Sequence, residues 1–218
     1  MGASLLKKIT RQHLEVFLKG QATDKYTLDI GSGGSLYQYD RFFPDRITVD
    51  IDPARNPEVV GDIHALPFDQ NTFDTVLCVE VLEHCIDPKK AFSEMHRVLK
   101  SGGKLVLTTR FVYPLHDTPN DFWRFTKYGL QELAKEGFVI TELLPEVGTF
   151  STIGVLLQRI AYQTNLFANG IFKLKLFILA WIFNHLNWMI RQEYGDIKKT
   201  ARETDILTSG YYLVATKK

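Results

Sequence analysis

A series of short apolar runs, separated by Gly, Asp and Pro, leaves this chain few folds to adopt. The runs begin after Gly20, and each is only two to five residues long. Runs this short, with few polar interruptions, are typical of strands covered on both faces, as in a parallel sheet. The predicted strands are Tyr26–Ile30, Ile47–Val49, Val59–Val60, Thr75–Val79 and Leu105–Thr109.

Helices are predicted between and after these strands. One begins at Asp87-Pro88 and ends before Gly102-Gly103, and a second runs from about Thr126 to Lys135. Strands that alternate with helices imply right-handed crossovers, so the pattern predicts a doubly wound α/β sheet. A length of 218 residues fits a single domain, residues 1–218, which opens with an amphipathic helix within residues 1–20.

Charge and cysteine content limit the partners and the cellular compartment that can be expected for this chain. Lys and Arg number 26 against 25 Asp and Glu, a net charge of +1 that disfavours nucleic acid as a partner and leaves any basic surface local. Cys78 and Cys85 form no CxxC pair and favour a reduced compartment. No long apolar run follows the first lysines, so we expect a cytoplasmic location, with contact to the inner face of the membrane left open.

A glycine-rich loop follows the first predicted strand. Gly31 and Gly33 allow a tight turn and a close approach of the backbone to a ligand. A dinucleotide fingerprint needs a third glycine at position 36, which is Leu36, and no Gly-Lys-Ser/Thr follows to make a P-loop. The loop therefore predicts a ligand site, but neither a nicotinamide nor a nucleoside triphosphate site.

Two acidic residues follow the next two predicted strands. Asp50 lies 21 residues after Asp29, about where a carboxylate meets the ribose hydroxyls of a nucleoside at the sheet edge. Asp62 can accept the amine of an adenine while Ile63 packs against the ring, and the alternative for Asp62 is a turn-forming aspartate. The acids thus predict a nucleoside-containing ligand.

Six motifs in order resemble class I S-adenosylmethionine-dependent methyltransferases of the bacterial small-molecule, type 11-like kind. The resemblance runs from about Tyr26 to Val147 and implies a Rossmann-like sheet of seven strands with the last one antiparallel. Ser35 stands where many members have glycine, and only eight residues separate Asp50 from Val59, too few for the usual crossover helix. The motifs are Leu28-Asp29-Ile30-Gly31-Ser32-Gly33-Gly34, Val49-Asp50-Ile51-Asp52, Gly61-Asp62-Ile63-His64-Ala65-Leu66-Pro67-Phe68, Phe73-Asp74-Thr75-Val76, Glu80-Val81-Leu82-Glu83-His84 and Arg97-Val98-Leu99-Lys100-Ser101-Gly102-Gly103-Lys104.

The resemblance also assigns cofactor contacts. S-adenosylmethionine is the implied cofactor, with its methionine part near the glycine loop and Asp29, its ribose at Asp50 and Ile51, and its adenine at Asp62. Glu80 also approaches the cofactor in this assignment. The full set of implied cofactor-binding residues is Asp29, Gly31, Gly33, Asp50, Ile51, Asp62, Ile63 and Glu80.

Candidate catalytic residues lie in and before the segment 111–126, which follows the fifth strand and is rich in aromatic residues. His116 is the candidate general base, because imidazole can take a proton at neutral pH. Arg124 is the candidate anchor for a carboxylate or phosphate of the acceptor, and an ion pair with Asp121 is the alternative. Together with Glu80, these residues predict transfer to a hydroxyl, or an amine, of a small or lipid-linked metabolite. The alternative is a catalytically silent cofactor-binding module that acts in assembly.

A metal site is a further hypothesis. Glu80-Val81-Leu82-Glu83-His84 resembles the Glu-x-x-Glu-His element of some 2′-O-methyltransferases and ubiquinone-pathway O-methyltransferases, in which such residues and a later His hold a divalent cation. The resemblance implies Mg²⁺, Mn²⁺ or Zn²⁺ on Glu80, Glu83, His84 and His116, which could lower the pKa of an acceptor hydroxyl. The alternative is that these residues shape a turn without a metal.

An apolar helical insertion is predicted over residues 149–209, where the resembled family has a short connection. No Asp or Glu occurs from Val147 through Gln192, whereas the same stretch contains four basic residues, Arg159, Lys173, Lys175 and Arg191. The part richest in apolar residues, Leu174–Ile190, is too short and too polar to span a membrane. Three interpretations stay open: a lid over the substrate, a surface for a homodimer, or a peripheral membrane contact.

Overall fold

The computed structural model describes residues 7–32 and 39–218. Within them lies a seven-stranded sheet of order β3-β2-β1-β4-β5-β9-β6, with β9 antiparallel to its neighbours. The predicted fold class is therefore confirmed. The strands are β1 (Thr27–Ile30), β2 (Arg46–Asp50), β3 (Val59–Val60), β4 (Phe73–Val79), β5 (Leu99–Arg110), β6 (Phe138–Pro145) and β9 (Gly210–Lys217), and a separate antiparallel pair consists of β7 (Glu193–Tyr194) and β8 (Arg202–Glu203).

Five helices accompany the strands in the described part of the chain: α1 (Ile9–Gly20), α2 (Pro88–Val98), α3 (Lys127–Ala134), α4 (Thr149–Gln163) and α5 (Asn169–Asn184). The starts of α2 and α3 follow from their caps, because Asp87 accepts a hydrogen bond from the Lys90 N–H and Thr126 accepts one from the Gly129 N–H. Between β2 and β3 the chain makes only a 3-10 turn, Pro53–Arg55, as expected for so short a connection.

The parallel half of the sheet sets the position of the site. β1 pairs in parallel with β2 and with β4, so that Ile30 lies beside both Val49 and Cys78. The strands are buried on both faces, with Leu28, Val76 and Leu77 fully enclosed. β1, β2 and β4 therefore end at one edge of the sheet, where parallel α/β folds bind ligands.

β5 begins earlier than the sequence predicts. It starts at Leu99 and includes Gly102 and Gly103, which we expected to separate a helix from the strand. Its pairing with β4 shifts register between Phe73 and Thr75, and Gly102 has a φ of +72°. The two glycines thus form an irregularity inside an extended strand.

Contacts divide the chain into two compact units. One comprises Phe17–Arg110, Leu115–Leu144 and Tyr211–Lys218, and it holds nearly all of the sheet. The other comprises Phe111–Pro114, Pro145–Gly210 and the N-terminal residues up to Val16. Residues 1–6, part of the predicted N-terminal helix, lie outside the described residues.

The second unit contains the predicted insertion, residues 149–209. Its two helices pack closely where Gly154 faces Ala180, since a Cβ on Gly154 would lie 2.7 Å from the Ala180 carbonyl oxygen. The N–H groups of Phe150 and Ser151 at the start of α4 donate to Asn187 Oδ1 at 2.9 and 3.3 Å. The short pair β7–β8 was not predicted. Among the described residues, the structure has no helix that is both long and apolar enough to cross a bilayer.

Candidate active site

Gly31 closes β1 at the carboxyl edge of the sheet. Its φ is +66°, a backbone conformation that glycine adopts at little cost, and its N–H donates to the Val49 carbonyl at 2.8 Å. A Cβ at this position would overlap the side chain of Val81, at well under 3.0 Å from Cγ2. Position 31 therefore requires glycine for both backbone and packing reasons. The predicted contact at Gly33 lies outside the described residues.

Asp50 ends β2 at the same edge, and its side chain is almost fully buried. Its Oδ1 accepts a hydrogen bond from the Asp52 N–H at 3.0 Å, and Oδ2 lies 3.8 Å from Arg55 Nη1. A carboxylate held in this way can accept ribose hydroxyls. Ile51, by contrast, has 67% of its surface exposed.

Asp62 follows β3 and forms a local turn, as the alternative interpretation anticipated. Its Oδ1 accepts from the His64 N–H at 2.9 Å and lies 2.7 Å from His64 Nδ1. Burial alone would raise the pKa of Asp62, but the hydrogen bonds from His64 outweigh it and lower the pKa. His64 Nε2 in turn accepts the Asp87 N–H, which requires the ring proton on Nδ1. Ile63 beside it is buried.

Asp29 is buried inside the sheet and is paired with Arg46, a residue that the sequence analysis did not single out. Arg46 Nη1 donates to Asp29 Oδ2 at 2.6 Å, and Nη2 lies 2.7 Å from Asp40 Oδ1. Burial raises the pKa of Asp29 to about 7, although Arg46 acts in the opposite direction. Asp29 therefore lies beside the glycine loop with an internal cationic partner.

Glu80 follows β4 in a left-handed conformation, with φ +55°. Its N–H donates to the carbonyl and to the hydroxyl of Thr108 on the neighbouring strand, at 3.0 and 3.1 Å. Its carboxylate Oε1 accepts from Arg110 Nη2, and Arg110 is itself buried at the end of β5. The ion pair fixes Glu80 at the sheet edge, a place in which a residue can face a ligand.

Glu83, His84 and His116 form a compact cluster next to this edge, with one ligand atom from each within 4.8 Å of the others. Glu83 is fully buried, and its Oε2 accepts the Thr109 hydroxyl at 2.8 Å. Its Oε1 lies 3.9 Å from His116 Nε2 and has no hydrogen-bond donor among the described residues. Glu80, which was predicted as a fourth ligand, is not in this cluster because its carboxylate is paired with Arg110.

The two imidazoles are oriented by groups outside the cluster. His84 Nδ1 lies 2.6 Å from the Asn120 carbonyl oxygen, which places the ring proton on Nδ1 and the lone pair on Nε2. His116 Nδ1 lies 3.3 Å from Asp121 Oδ2, and its Nε2 faces Glu83. His84 therefore presents Nε2 as a base or a ligand, and the Nε2 of His116 is directed at Glu83.

Arg124 is paired with Asp121, as the second interpretation of this residue anticipated. Nη1 and Nη2 of Arg124 donate to the two carboxylate oxygens of Asp121 at 2.7 Å. Burial alone would raise the pKa of Asp121, but Arg124 and His116 lower it to about 2. Burial lowers the pKa of His116, while Asp121 acts in the opposite direction. Burial of the His116 ring therefore favours its neutral form.

The segment after β5 is anchored over Glu83. The Phe122 and Trp123 N–H groups donate to the Glu83 carbonyl at 3.0 and 3.1 Å, and Trp123 Nε1 donates to the Cys85 carbonyl at 2.8 Å. The structure therefore brings His116 and Arg124 to the end of β4. Arg110, in contrast, was missed, although an arginine that closes a buried strand is itself a signal of a functional ion pair.

Residues 28–107 match a family model described as a methyltransferase domain. This matched segment contains the glycine loop, Asp50, Asp62 and Glu80. Residues 28–107 are thus similar to a methyltransferase domain. The motif resemblance is thus confirmed for the domain that carries the candidate cofactor site.

Curated relatives match over a similar part of the chain. An uncharacterised protein of Methanocaldococcus jannaschii is 34% identical over 128 residues, which cover 54% of this chain and 56% of that protein. The ubiquinone/menaquinone biosynthesis C-methyltransferase UbiE of Haemophilus ducreyi is 33% identical over 128 residues, 56% of this chain and 48% of that protein. The chain spans about half the length of the curated relatives that it matches.

Solved structures share the fold. A chain from the complex between the Haloferax volcanii Trm112 methyltransferase activator and its proposed methyltransferase superposes with a TM-score of 0.59. The alignment covers 94% of this chain and 88% of that chain at 16% sequence identity. At this identity the likeness shows the fold of the methyltransferase domain and nothing finer.

Proposed function

We propose that the chain is an S-adenosylmethionine-dependent methyltransferase whose acceptor is a hydroxyl, or an amine, of a small or lipid-linked metabolite. The observation that carries the proposal is the meeting of Gly31, Asp50 and Glu80 at one edge of a methyltransferase domain. The family implies the cofactor, and the donor set fits it, because Asp50 is a buried carboxylate whose position suits two hydroxyl donors. S-adenosylmethionine, when bound, supplies an electrophilic methyl group on a sulfonium sulfur.

Each residue at the edge has a separate role in this proposal. Gly31 lets the backbone approach the methionine part of the cofactor, and Asp50 accepts the ribose hydroxyls. Asp62 Oδ1 is occupied by His64, so Oδ2 is the oxygen that we assign to the adenine amine. Glu80, held by Arg110, lies where it can face the cofactor. Alignment of the reacting atoms then accounts for most of the rate enhancement.

Calorimetric titration tests the cofactor site. S-adenosylmethionine and S-adenosylhomocysteine should bind the purified protein, and Asp50→Asn should weaken both by about 10- to 100-fold, since hydrogen bonds to a charged group contribute about 1.5–3 kcal/mol each. Asp45→Asn is the matched control, because Asp45 precedes the same strand at its opposite end. Equal affinity in the wild-type protein and Asp50→Asn would contradict the assignment.

His116 is our candidate base for the acceptor. With its proton on Nδ1 beside Asp121, its Nε2 can take the proton of an acceptor hydroxyl. Arg124 and Asp121 are positioning residues in this scheme, since they fix the ring rather than touch the acceptor. His116→Ala should lower kcat by about 10²- to 10⁴-fold and leave cofactor affinity unchanged. A loss of cofactor affinity instead would assign His116 a structural role.

As the alternative to a base at His116, we propose that Glu83, His84 and His116 hold a divalent cation. The fully buried Oε1 of Glu83 without a donor among the described residues is the supporting observation, together with two imidazoles that each present Nε2. Two nitrogens and one carboxylate suit Zn²⁺ or Mn²⁺ better than Mg²⁺. Elemental analysis of the wild-type protein against His84→Gln tests this, and equal metal content in both would exclude it. Metal on His116 would also exclude His116 as the base.

A carbon acceptor is the second candidate, because the UbiE relatives are named as C-methyltransferases. Removal of a phenolic proton by His116 would make both the oxygen and the adjacent ring carbon nucleophilic. Mass spectrometry of the product made with labelled S-adenosylmethionine distinguishes the two, since fragmentation places the label on oxygen, nitrogen or carbon. A label on carbon would overturn the hydroxyl and amine assignment.

A further inference from the structure

Helix α5 (Asn169–Asn184) is apolar on its exposed half as well as on its packed half. Phe177 and Ala180 are buried and face α4, with Ala180 against Gly154. A helix with one face packed in this way normally carries polar residues on the other face. Here the exposed positions fall on about half of the helix circumference. They are Ile171, Phe172, Leu174, Lys175, Ile178, Leu179, Trp181 and Ile182, of which only Lys175 is polar.

Further exposed aromatic and apolar side chains lie beyond both ends of α5. Phe167 precedes the helix with 92% of its surface exposed, and Trp188 follows it with 80% exposed, next to Met189. Exposed apolar residues occur singly on ordinary surfaces, but a set that runs along a whole helix marks a binding surface. We call this set, from Phe167 to Met189, the α5 surface.

The charged residues within α5 are both basic, Lys173 and Lys175. The sequence has no Asp or Glu from Val147 through Gln192, and within that stretch it has Arg159, Lys173, Lys175 and Arg191. Lys175 Nζ lies 5.5 Å from the ring centre of Phe172, so its aliphatic stem runs along the apolar surface. Apolar side chains flanked by cations match the acyl boundary and headgroups of an anionic bilayer.

A second copy of this chain is a poorer match for the same surface. A two-fold dimer places the same patch on both sides of the interface, so the cations of one copy would meet those of the other. The acid-free stretch offers no partner for them. An anionic lipid surface offers a partner for Lys173 and Lys175, whereas Arg191 lines a pocket together with Glu193, Glu203 and Asp205.

We propose that the α5 surface binds an anionic membrane surface, with α5 lying in the plane of the interface. The helix has 16 residues and is about 24 Å long, which suits burial along the headgroup boundary rather than across the bilayer. Trp181 and Trp188 are of the type that concentrates at this depth. The inference does not depend on methyl transfer, since binding to lipid can be measured without cofactor.

Flotation of the full chain with vesicles tests the proposal. The protein should float at low salt with vesicles of phosphatidylcholine mixed with phosphatidylglycerol, and much less with phosphatidylcholine alone. Lys175→Gln should weaken binding to the anionic vesicles by about fivefold. The double variant Ile178→Glu, Ile182→Glu should weaken it by at least about tenfold. Val139→Glu is the control, because Val139 on β6 is at least as exposed as Ile178 and Ile182 and lies outside the α5 surface.

A second measurement protects the test against misfolding. Brominated lipid should quench tryptophan fluorescence, and Trp181→Phe should reduce that quenching while the circular dichroism spectrum of the variant stays that of the wild type. A protein that stays at the bottom of the gradient at low salt overturns the proposal. Equal flotation of the wild-type protein and the double variant would also overturn the proposal. A concentration-dependent dimer that the double variant abolishes, in a protein that does not float, would overturn it too. Absence of cofactor binding would overturn the proposed function alone.

Discussion

Substitution of Gly31 by alanine should destabilise the protein for two separable reasons. The backbone φ of +66° costs an L-residue about 1–2 kcal/mol, and the new Cβ would overlap Val81 Cγ2, an overpacking that typically costs about 1–3 kcal/mol. We therefore expect the free energy of unfolding to fall by about 2–5 kcal/mol. Guanidinium titration followed by circular dichroism measures this difference at constant pH.

The chain provides a control that isolates the two effects. Gly102 has a similar φ of +72°, but a Cβ at that position would meet nothing within 4 Å. Gly102→Ala should therefore cost only about 1–2 kcal/mol. In a Val81→Ala background, Gly31→Ala should approach the same smaller loss, because the overlapping methyl groups are gone. If Gly31→Ala and Gly102→Ala lose equal stability, or if Val81→Ala brings no relief, the packing argument is wrong.

Three further substitutions test other parts of the structure. Burial raises the pKa of Asp29 to about 7, from an unfolded value near 3.9, so the folded state holds an extra proton between these two pH values. The free energy of unfolding of the wild type, relative to that of Asp29→Asn, should therefore fall by on the order of 4 kcal/mol as the pH rises from 4 to 7, and stay level above pH 7. Denaturant titration at a series of pH values measures this difference. A flat difference would refute the raised pKa. Gly154→Val should lower the free energy of unfolding by about 1–3 kcal/mol, because the larger side chain forces α4 away from the Ala180 carbonyl. Gly170→Ala is the control and should not destabilise α5, since a Cβ there meets nothing within 4 Å. Equal melting temperatures of the two variants would contradict the packing argument. Thr126→Ala removes the cap of α3 and should cost about 1 kcal/mol, which lowers the melting temperature by about 2–4 °C; an unchanged melting temperature would show that the cap contributes nothing.

The sheet was predictable from the sequence because its parallel strands are built mainly from short runs of apolar and β-branched residues. Val76 and Leu77 in β4 and Leu105 in β5 are fully buried, and they lie in the apolar runs 76–79 and 105–107. The alternation with helices then predicted a doubly wound parallel sheet. Where the local pattern misled, as at Gly102-Gly103, the pairing of β5 with β4 outweighed the turn preference of the two glycines.

The candidate site was predictable only in part. Asp50, Asp62 and His116 could be assigned because each follows a strand or lies in the segment after one. Their partners could not be assigned, because ion pairs such as Asp29 with Arg46 join residues 17 apart and depend on the register of β1 and β2. The pair of Glu80 with Arg110 spans 30 residues and depends in the same way on β4 and β5.

The place of β9 between β5 and β6 sets an order of events during synthesis. The sheet is incomplete until β9 has left the ribosome, because β9 lies between β5 and β6. β6 therefore has no neighbouring strand while residues 146–209 are synthesised. At 5–20 residues per second, the interval from the end of β6 to the end of β9 is roughly 4 to 14 s. During that time α4 and α5, whose contacts are local, can already form. The apolar helices are therefore synthesised before the seven-stranded sheet is complete, and their exposed side chains are present in the nascent chain while β6 still lacks its neighbour.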